Sequence, residues 1–267
     1  MRGISVAIIT FNEERNLEAC LRSCEDVAEE IVVLDSFSTD KTEAIARSFP
    51  RVRFEQHTFD GHVAQKNRAL ALCLNEWVLS LDADERLSPE LREEIRALDA
   101  DGRDAFRIPR LTFAMGKGIL HSGWHPQRKP RLFKKSKARS VGNDPHDYFA
   151  VDGVRGDLRG SLLHYSFKDL AHQARTHNVF SSIQALSYVT HGRRFSVLST
   201  VVRPVVKFLE VYVYKRGFLD GFHGFVIAVN CAYATFLKFA KMYELEKGLI
   251  ERPSNVEPGY QPQLRGK

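Results

Sequence analysis

The chain has few cysteines, no secretory leader pattern and no long uninterrupted apolar run. Four of its 267 residues are cysteine. Cys20 and Cys24 share a helical face with Leu17 and Leu21, and no further metal ligands stand near them, so we expect buried thiols rather than a metal or redox site. The N-terminal residues run straight into a short strand, without the apolar core and cleavage site of a signal peptide. We therefore expect a cytoplasmic protein.

Positive charge is in excess, with a formal net charge of +6 and a sequence pI near 9.1. Such a balance favours anionic partners, whether nucleic acid, nucleotide diphosphate sugars or an acidic membrane surface. The basic residues are dispersed, and the sequence has no zinc-finger, helix-turn-helix or RNA-binding-sheet motif, so we do not expect a nucleic-acid partner. The hydrophobic content of 43% is sufficient for a packed core.

The first half of the chain alternates short β-branched runs with amphipathic helical patterns. This alternation is typical of an α/β fold with a mostly parallel sheet and crossover helices. We predict helices from about residue 13, capped by Asn12, from about residue 41, over residues 62–74 and from Ser88, which caps the last of them. The predicted strands are residues 4–9, 31–34, 52–54, 77–81, 105–108 and 131–133.

Three helices are expected after residue 165, over about 168–191, 196–214 and 219–246. We predict a catalytic domain over residues 1–167, a helical region over 168–250 and a flexible polar tail over 251–267. Arg203, Lys207 and Lys238 interrupt the apolar runs, which argues against a simple membrane-spanning helix. The pattern fits either a bundle packed on the catalytic domain or helices that lie in an anionic membrane interface.

Acidic residues follow the strand predicted at residues 77–81. Asp82 and Asp84, separated by one residue, stand where open parallel sheets bind their ligands. Carboxylate oxygens suit Mg²⁺ or Mn²⁺, and a cation held there can also bind a diphosphate. A solvated acidic turn is the alternative for a motif this short, but its position at the end of a central strand favours the metal site.

Other candidate residues lie at the ends of neighbouring elements. Asp35 closes the second strand and could bind a base or ribose, whereas the small polar residues after it are expected to form a turn and cap the next helix. Asn12 and Glu13 begin a helix and have equally simple structural roles available. Lys66 becomes a phosphate partner if its helix directs it into the cleft, and is otherwise a solvent-exposed lysine.

Taken together and in order, these motifs resemble glycosyltransferase family 2. Within it, the chain is similar to the branch of bacterial lipopolysaccharide inner-core β-1,4-glucosyltransferases, over about residues 4–244. The family motifs are Thr10-Phe11-Asn12-Glu13, Asp35-Ser36-Phe37-Ser38-Thr39-Asp40, Gln65-Lys66-Asn67 and Leu81-Asp82-Ala83-Asp84-Glu85-Arg86. The branch motifs are Gly123-Trp124-His125-Pro126, Arg131-Leu132-Phe133, Leu163-His164-Tyr165-Ser166 and Arg216-Gly217-Phe218-Leu219-Asp220-Gly221.

The resemblance implies a Rossmann-like GT-A fold, a nucleotide diphosphate sugar donor (UDP-linked, with a hexose such as glucose) and inversion at the anomeric carbon. It also implies a lipid-linked glycan acceptor, such as the lipopolysaccharide core, at the cytoplasmic face of the inner membrane. The implied donor-site residues are Thr10, Asn12 and Glu13 beside the nucleoside, Asp35 at its base or ribose, Lys66 near the diphosphate, and Asp82 with Asp84 at the metal.

The catalytic base is implied less directly. Family members often place a His-Glu pair after the Arg-Leu-Phe strand, where this chain has His146 and Asp147. We predict Asp147 as the base and Asp144 as the second candidate, the alternative being that they only cap a turn around Pro145. His164 is a candidate third metal ligand beside Asp84 and Asp82.

Three other functions remain possible at this stage. A polyprenyl-phosphate sugar synthase would share the catalytic half and differ only in its acceptor. A haloacid-type phosphatase also uses two aspartates at a strand end, but Glu85 and Arg86 stand where its following residues should be. A non-catalytic protein that binds membranes or nucleic acids would account for the charge alone.

Overall fold

The structure is a computed structural model that describes residues 3–143, 146–167 and 169–256. It contains two compact units, one formed by Met1–Thr112 with Pro126–Tyr165 and the other by Phe113–His125 with Ser166–Lys267. The sequence analysis assigns residues 113–125 to the catalytic domain, whereas their contacts group them with the C-terminal helices. Each unit is described separately below.

The first unit combines strands and four helices. The helices are α1 (Leu17–Cys24), α2 (Thr42–Arg47), α3 (His62–Leu72) and α4 (Pro89–Arg96). The strands are β1 (Ile4–Thr10), β2 (Glu30–Asp35), β3 (Val52–Gln56), β4 (Trp77–Asp82), β5 (Glu85–Leu87), β6 (Ala105–Ala114, whose last two residues belong to the second unit), β7 (Lys117–Gly118, in the second unit), β8 (Gln127–Lys134), β9 (Ala138–Asn143), β10 (His146–Val151), β11 (Arg155–Asp157) and β12 (Leu162–His164).

The main sheet has the strand order β3-β2-β1-β4-β8-β6-β12-β5. Its first four strands are parallel, as expected. Strand β8 runs antiparallel to both β4 and β6, so the complete sheet is mixed. Strands β9 and β10 form a separate antiparallel hairpin, which the sequence analysis does not predict.

The core of the first unit forms because β1, β2 and β4 are almost wholly apolar and are covered on both faces. Val6, Val33 and Leu79 are inaccessible to solvent. The predicted helical stripe of Leu17, Cys20, Leu21 and Cys24 is buried, which confirms the expectation of buried thiols there. Burial raises the pKa of the Cys24 thiol to about 12, so this thiol is unreactive at neutral pH.

Two helix starts test the capping predictions. Ser88 caps α4, because its hydroxyl accepts a hydrogen bond from the Leu91 amide at 3.2 Å. Helix α1 begins at Leu17 rather than near Glu13, so the predicted cap at Asn12 is wrong. Asn12 has a left-handed backbone with φ of 55°, and its side chain binds Thr39 instead.

The second unit is helical, with α5 (Leu170–Thr190), α6 (Val197–Leu209) and α7 (Phe222–Glu246). A π-helical turn, Glu210–Tyr214, and a 3₁₀ turn, Gly217–Asp220, join α6 to α7. Helix α7 packs closely on the 3₁₀ turn, since a Cβ added at Gly224 would lie 1.8 Å from the Gly217 carbonyl oxygen. Residues 251–256 of the predicted flexible tail are described, and Val256 there is buried.

Asp220 explains why residues 113–125 join the helices. Its buried carboxylate accepts hydrogen bonds from the backbone amides of Leu120 and His121, both at 3.1 Å, and from the Ser122 hydroxyl at 3.1 Å. The motif Arg216–Gly221 therefore anchors the loop that precedes Trp124, and two motifs of the branch resemblance have a structural role inside this unit.

Candidate active site

The carboxyl ends of three parallel strands lie side by side at the predicted ligand edge. Thr10 at the end of β1 pairs with Asp35 of β2, and Ile9 pairs with Asp82 of β4. The register thus brings three of the predicted donor-site residues to one edge of the sheet. This placement follows from parallel strands of similar length.

Asp35 has a different environment from the one the sequence suggests. Its carboxylate is inaccessible to solvent and accepts hydrogen bonds from the Thr10 hydroxyl at 2.8 Å and from the Ser38 amide and hydroxyl at 2.7 and 2.5 Å. In the structure Asp35 therefore holds the turn after β2 through these bonds. Its contact with a base or ribose stays a prediction.

Asn12 and Glu13 hold the loop after β1 against the loop after β2. The Asn12 side-chain oxygen accepts a hydrogen bond from the Thr39 amide at 2.9 Å. The backbone amide of Glu13 donates to the Thr42 hydroxyl at 2.8 Å. Their contact with a nucleoside stays a prediction, while the two loops are held at the sheet edge where a nucleotide would lie.

Asp82 is held between two cations. One carboxylate oxygen lies 3.0 Å from the Lys66 ammonium and the other 2.9 Å from the Arg131 guanidinium. Burial alone would raise the pKa of Asp82, but Lys66 and Arg131 outweigh burial and hold this pKa well below its ordinary value. Asp82 is therefore an ionised carboxylate whose two oxygens are each occupied by a positive side chain.

Glu85 and Arg131 form a buried ion pair beneath this aspartate. Their charged groups are 2.8 Å apart, and the side chains are 0% and 6% exposed. Glu85 also accepts a hydrogen bond from the Asp82 amide at 3.0 Å, which fixes the turn after β4. Neither residue has a predicted role, although both stand within the family and branch motifs. The signal for Glu85 is an acid directly after the two aspartates.

Lys66 joins Asp82 to the predicted base. Its ammonium lies 2.8 Å from Asp147, in addition to its contact with Asp82, and its side chain is only 9% exposed. Burial would lower the pKa of Lys66, but the two carboxylates raise it above the ordinary value, so the ammonium stays charged. Lys66 is not a solvent-exposed lysine.

Asn67 explains how Asp147 reaches Lys66. Its side-chain amide donates to the Ser140 carbonyl at 2.9 Å and accepts from the Ser140 amide at 2.8 Å. This pair of bonds attaches helix α3 to the β9–β10 hairpin, which carries Asp147. The second candidate base, Asp144, lies outside the described residues.

Asp84 lies beside His164. The Asp84 carboxylate is 3.3 Å from His164 Nε2, and the backbone carbonyl of Asp84 accepts a hydrogen bond from the Tyr165 amide at 2.9 Å. A carboxylate oxygen suits Mn²⁺ or Mg²⁺, and an imidazole nitrogen beside it favours Mn²⁺ over the harder Mg²⁺; a diphosphate would complete the ligand set. Among the described residues no cluster of three or more His, Cys, Asp or Glu side chains could hold a metal ion. In the structure Asp82 is paired with Lys66 and Arg131, and its role as a metal ligand beside Asp84 and His164 stays a prediction.

A cavity of about 390 Å³ is lined by Asp82 and Asp147. Its wall has four basic side chains, two acidic ones and two aromatic ones. The basic residues are Lys66, Arg110, Lys129 and Arg131, and the aromatic residues are Tyr148 and Phe149. The arrangement suits a polar, negatively charged ligand.

Comparison with known proteins identifies the family. Residues 5–154 match the sequence model of glycosyl transferase family 2. The chain belongs to this family. An uncharacterized glycosyltransferase of Rickettsia typhi is 32% identical over 258 residues, which cover 92% of this chain and 88% of that protein. The lipopolysaccharide core biosynthesis glycosyltransferase LpsC of Rhizobium meliloti is 32% identical over 259 residues, 94% of this chain and 95% of LpsC.

Solved structures show the fold of this family 2 glycosyltransferase. Staphylococcus aureus TarS, in a complex with UDP-GlcNAc, matches it with a TM-score of 0.51 over 92% of both chains at 14% identity. The chain has the predicted GT-A fold, an α/β sheet flanked by helices with a helical C-terminal region. It is a glycosyltransferase, so the phosphatase and the non-catalytic binding protein are no longer alternatives.

Proposed function

We propose that this glycosyltransferase moves a hexosyl group, such as glucose, from a UDP-sugar to a lipid-linked glycan of the lipopolysaccharide-core type, with inversion at the anomeric carbon. The observation that carries the proposal is the meeting of Asp82, Lys66 and Asp147 in one cavity, at 3.0 and 2.8 Å. The similarity to LpsC, named for lipopolysaccharide core biosynthesis, supports the choice of acceptor.

Asp147 is the proposed base. One of its oxygens, Oδ2, pairs with Lys66, and no described residue forms a hydrogen bond or ion pair with the other, which is the oxygen that would take the proton of the acceptor hydroxyl. The hydroxyl oxygen attacks the anomeric carbon as its proton passes to Asp147 and the bond from that carbon to the diphosphate breaks. Nucleoside diphosphate leaves on the opposite face of the sugar, which inverts the configuration.

Asp84 and His164 are the residues that would hold a divalent cation. Their donor atoms lie 3.3 Å apart, and a carboxylate oxygen with an imidazole nitrogen suits Mn²⁺ better than Mg²⁺. When bound, such a cation supplies charge stabilisation to the leaving diphosphate. The proposed role of Asp82 is to form ion pairs with Lys66 and Arg131, and through them to orient Lys66 towards the donor and Asp147.

A membrane surface fits the second unit. Helix α6 has no buried residue, and Val197, Leu198 and Val201 are 63–73% exposed. An apolar groove of about 590 Å³ runs between α6 and α7. Exposed Arg193 and Arg194 precede this helix, and an apolar face flanked by basic residues is typical of helices that lie in an anionic interface.

Helix α7 is also long and apolar enough to cross a membrane, but a core helix passes the same test, so it does not decide the question. We propose peripheral attachment at the cytoplasmic face of the inner membrane. Flotation with vesicles containing anionic lipid tests this, using a variant with Val201→Glu and Val205→Glu and a control with Val154→Glu, which is equally exposed in the first unit. Retained binding by the α6 variant would argue against attachment through α6.

The activity itself is tested by measuring nucleotide diphosphate release from a panel of nucleotide sugars in the presence of Mn²⁺. Each sugar is tested under three conditions: without an acceptor, with a crude lipid-glycan extract, and with polyprenyl phosphate. The proposal predicts slow nucleotide diphosphate release from one UDP-hexose, accelerated by the extract with sugar incorporated into a glycolipid. Acceleration by polyprenyl phosphate instead would replace the proposed acceptor. A donor linked to another nucleotide would replace UDP.

A further inference from the structure

The cavity carries more positive charge than its carboxylates neutralise. Asp82 and Asp147 are both paired with Lys66, and Asp82 also pairs with Arg131. Glu85, behind the wall, is paired with Arg131 at 2.8 Å. These contacts use the acidic side chains of the cavity on Lys66 and Arg131, and Glu85 also lies 3.9 Å from the Arg110 guanidinium. The wall has four basic residues, of which Lys129 is the remaining one.

Lys129 is the cation that these pairs leave over. It lies in β8, half-buried, and its ammonium makes no ion pair or hydrogen bond within the described part of the chain. Burial and the neighbouring guanidiniums of Arg110 and Arg131 lower the pKa of Lys129. A half-buried ammonium beside like charges is costly unless an anion joins it, so this position fits a bound anionic group.

We infer that Lys129, with Arg110 beside it, binds a phosphate or carboxylate group on the acceptor glycan. The inference rests on the proposed function. Within the described residues, the proposed base Asp147 lines the same cavity as Lys129, and so do Lys66 and Asp82 on the donor side, whereas the proposed metal ligands Asp84 and His164 do not. Because Lys66 is the proposed partner of the donor diphosphate, we assign the anion beside Lys129 to the acceptor, whose hydroxyl Asp147 deprotonates.

The anionic group fixes the register of the acceptor. A charge-assisted contact at Lys129 anchors the glycan at one point, and the reacting hydroxyl is then held near Asp147. Acceptors without the anion would bind weakly in this cavity and leave its excess charge unmatched. Lys129 is thus a specificity-determining residue rather than a catalytic one.

The first experiment compares Lys129→Met with Lys137→Met, which removes the same charge at an exposed position outside the cavity. Transfer is measured with the UDP-sugar and the crude lipid-glycan extract varied in turn. Lys129→Met should raise the extract concentration for half-maximal transfer about 10- to 100-fold, with the donor half-saturation unchanged. Lys137→Met should behave as wild type, and thermal melts check that both variants fold.

Pretreatment of the extract separates the two sources of the anion. Phosphatase removes phosphates, and carbodiimide amidation removes carboxylates. One treatment should reduce wild-type transfer to the level of Lys129→Met while leaving that variant little changed. Wild-type transfer that neither treatment affects, or a Lys129→Met defect in donor saturation alone, would overturn the inference.

A binding measurement keeps the inference separate from the proposed function. Inorganic phosphate and acetate are titrated by calorimetry into the protein saturated with UDP and Mn²⁺. At least one should bind to wild type and to Lys137→Met and not to Lys129→Met. Anion binding without any glycolipid product in the transfer assay would contradict the proposed acceptor class but not the anion site. Transfer without any such anion binding would contradict the anion site.

Discussion

Replacing Arg131 by methionine tests how the site is built. The change removes the guanidinium that lies 2.8 Å from Glu85 and 2.9 Å from Asp82. Asp82 keeps Lys66 as its partner, but Glu85 is inaccessible to solvent and loses its nearest cation. Breaking a buried pair from one side costs about 3–5 kcal/mol, so unfolding of the first unit should become easier by about that amount.

The loss should also depend on pH. Burial raises the pKa of Glu85 above its ordinary value although Arg131 opposes this, and removing Arg131 raises the pKa further. A carboxyl whose pKa is higher in the folded state holds its proton more tightly there, so stability falls as pH rises towards that folded-state pKa. The variant should therefore be destabilised more at about pH 8 than at about pH 5.

Tryptophan emission during urea unfolding can report the first unit alone. The chain has two tryptophans, Trp77 in the first unit and Trp124 in the second, so a Trp124→Phe background leaves only Trp77. Adding Glu85→Gln to Arg131→Met should restore part of the stability, since no buried charge is then left unpaired. A loss below about 1 kcal/mol at both pH values would refute the buried-pair reasoning, because solvated pairs contribute no more than that.

Three further predictions concern the metal, Lys66 and the second unit. Asp84→Ala should abolish the gain in UDP affinity that Mn²⁺ provides, and calorimetry showing an unchanged gain would contradict the metal role. Lys66→Met should lower both donor affinity and turnover, since Asp82 and Asp147 lose a shared cation, whereas Lys137→Met should change neither in the same steady-state assays. Gly224→Ala should destabilise the second unit by about 1–3 kcal/mol, because the added Cβ would lie 1.8 Å from the Gly217 carbonyl oxygen. Trp124 emission in a Trp77→Phe background measures the urea unfolding of this unit, and a midpoint equal to that of the wild type would contradict the prediction.

Much of the sheet and the helices could be predicted because their signals are local. Apolar runs mark β1, β2 and β4, and the stripe from Leu17 to Cys24 marks α1. The β9–β10 hairpin was missed although its strands are as long as β2 and β4, since polar residues and a glycine interrupt their apolar pattern. The grouping of residues 113–125 with the helices depends on Asp220, about a hundred residues away along the chain.

In the site, too, local features could be predicted from the sequence, whereas contacts between residues far apart along the chain could not. The position of Asp82 and Asp84 at a strand end was readable from the sequence. The partners of Asp82 were not, because Arg131 is 49 positions away and its approach requires β8 to return beside β4. The sequence shows a carboxylate at the sheet edge, which predicts a ligand contact for Asp35, but it does not show that Thr10 and Ser38 also donate hydrogen bonds to this carboxylate.

The most direct test of the proposed chemistry is Asp147→Asn, compared with Asp152→Asn, an exposed aspartate just beyond the end of the same hairpin. Turnover is measured with saturating donor and lipid-glycan extract, and UDP affinity by calorimetry. If Asp147 takes the proton of the acceptor hydroxyl, turnover falls by about 10²–10⁴ while UDP still binds, and the control is unaffected. Near-normal turnover in Asp147→Asn would contradict the account.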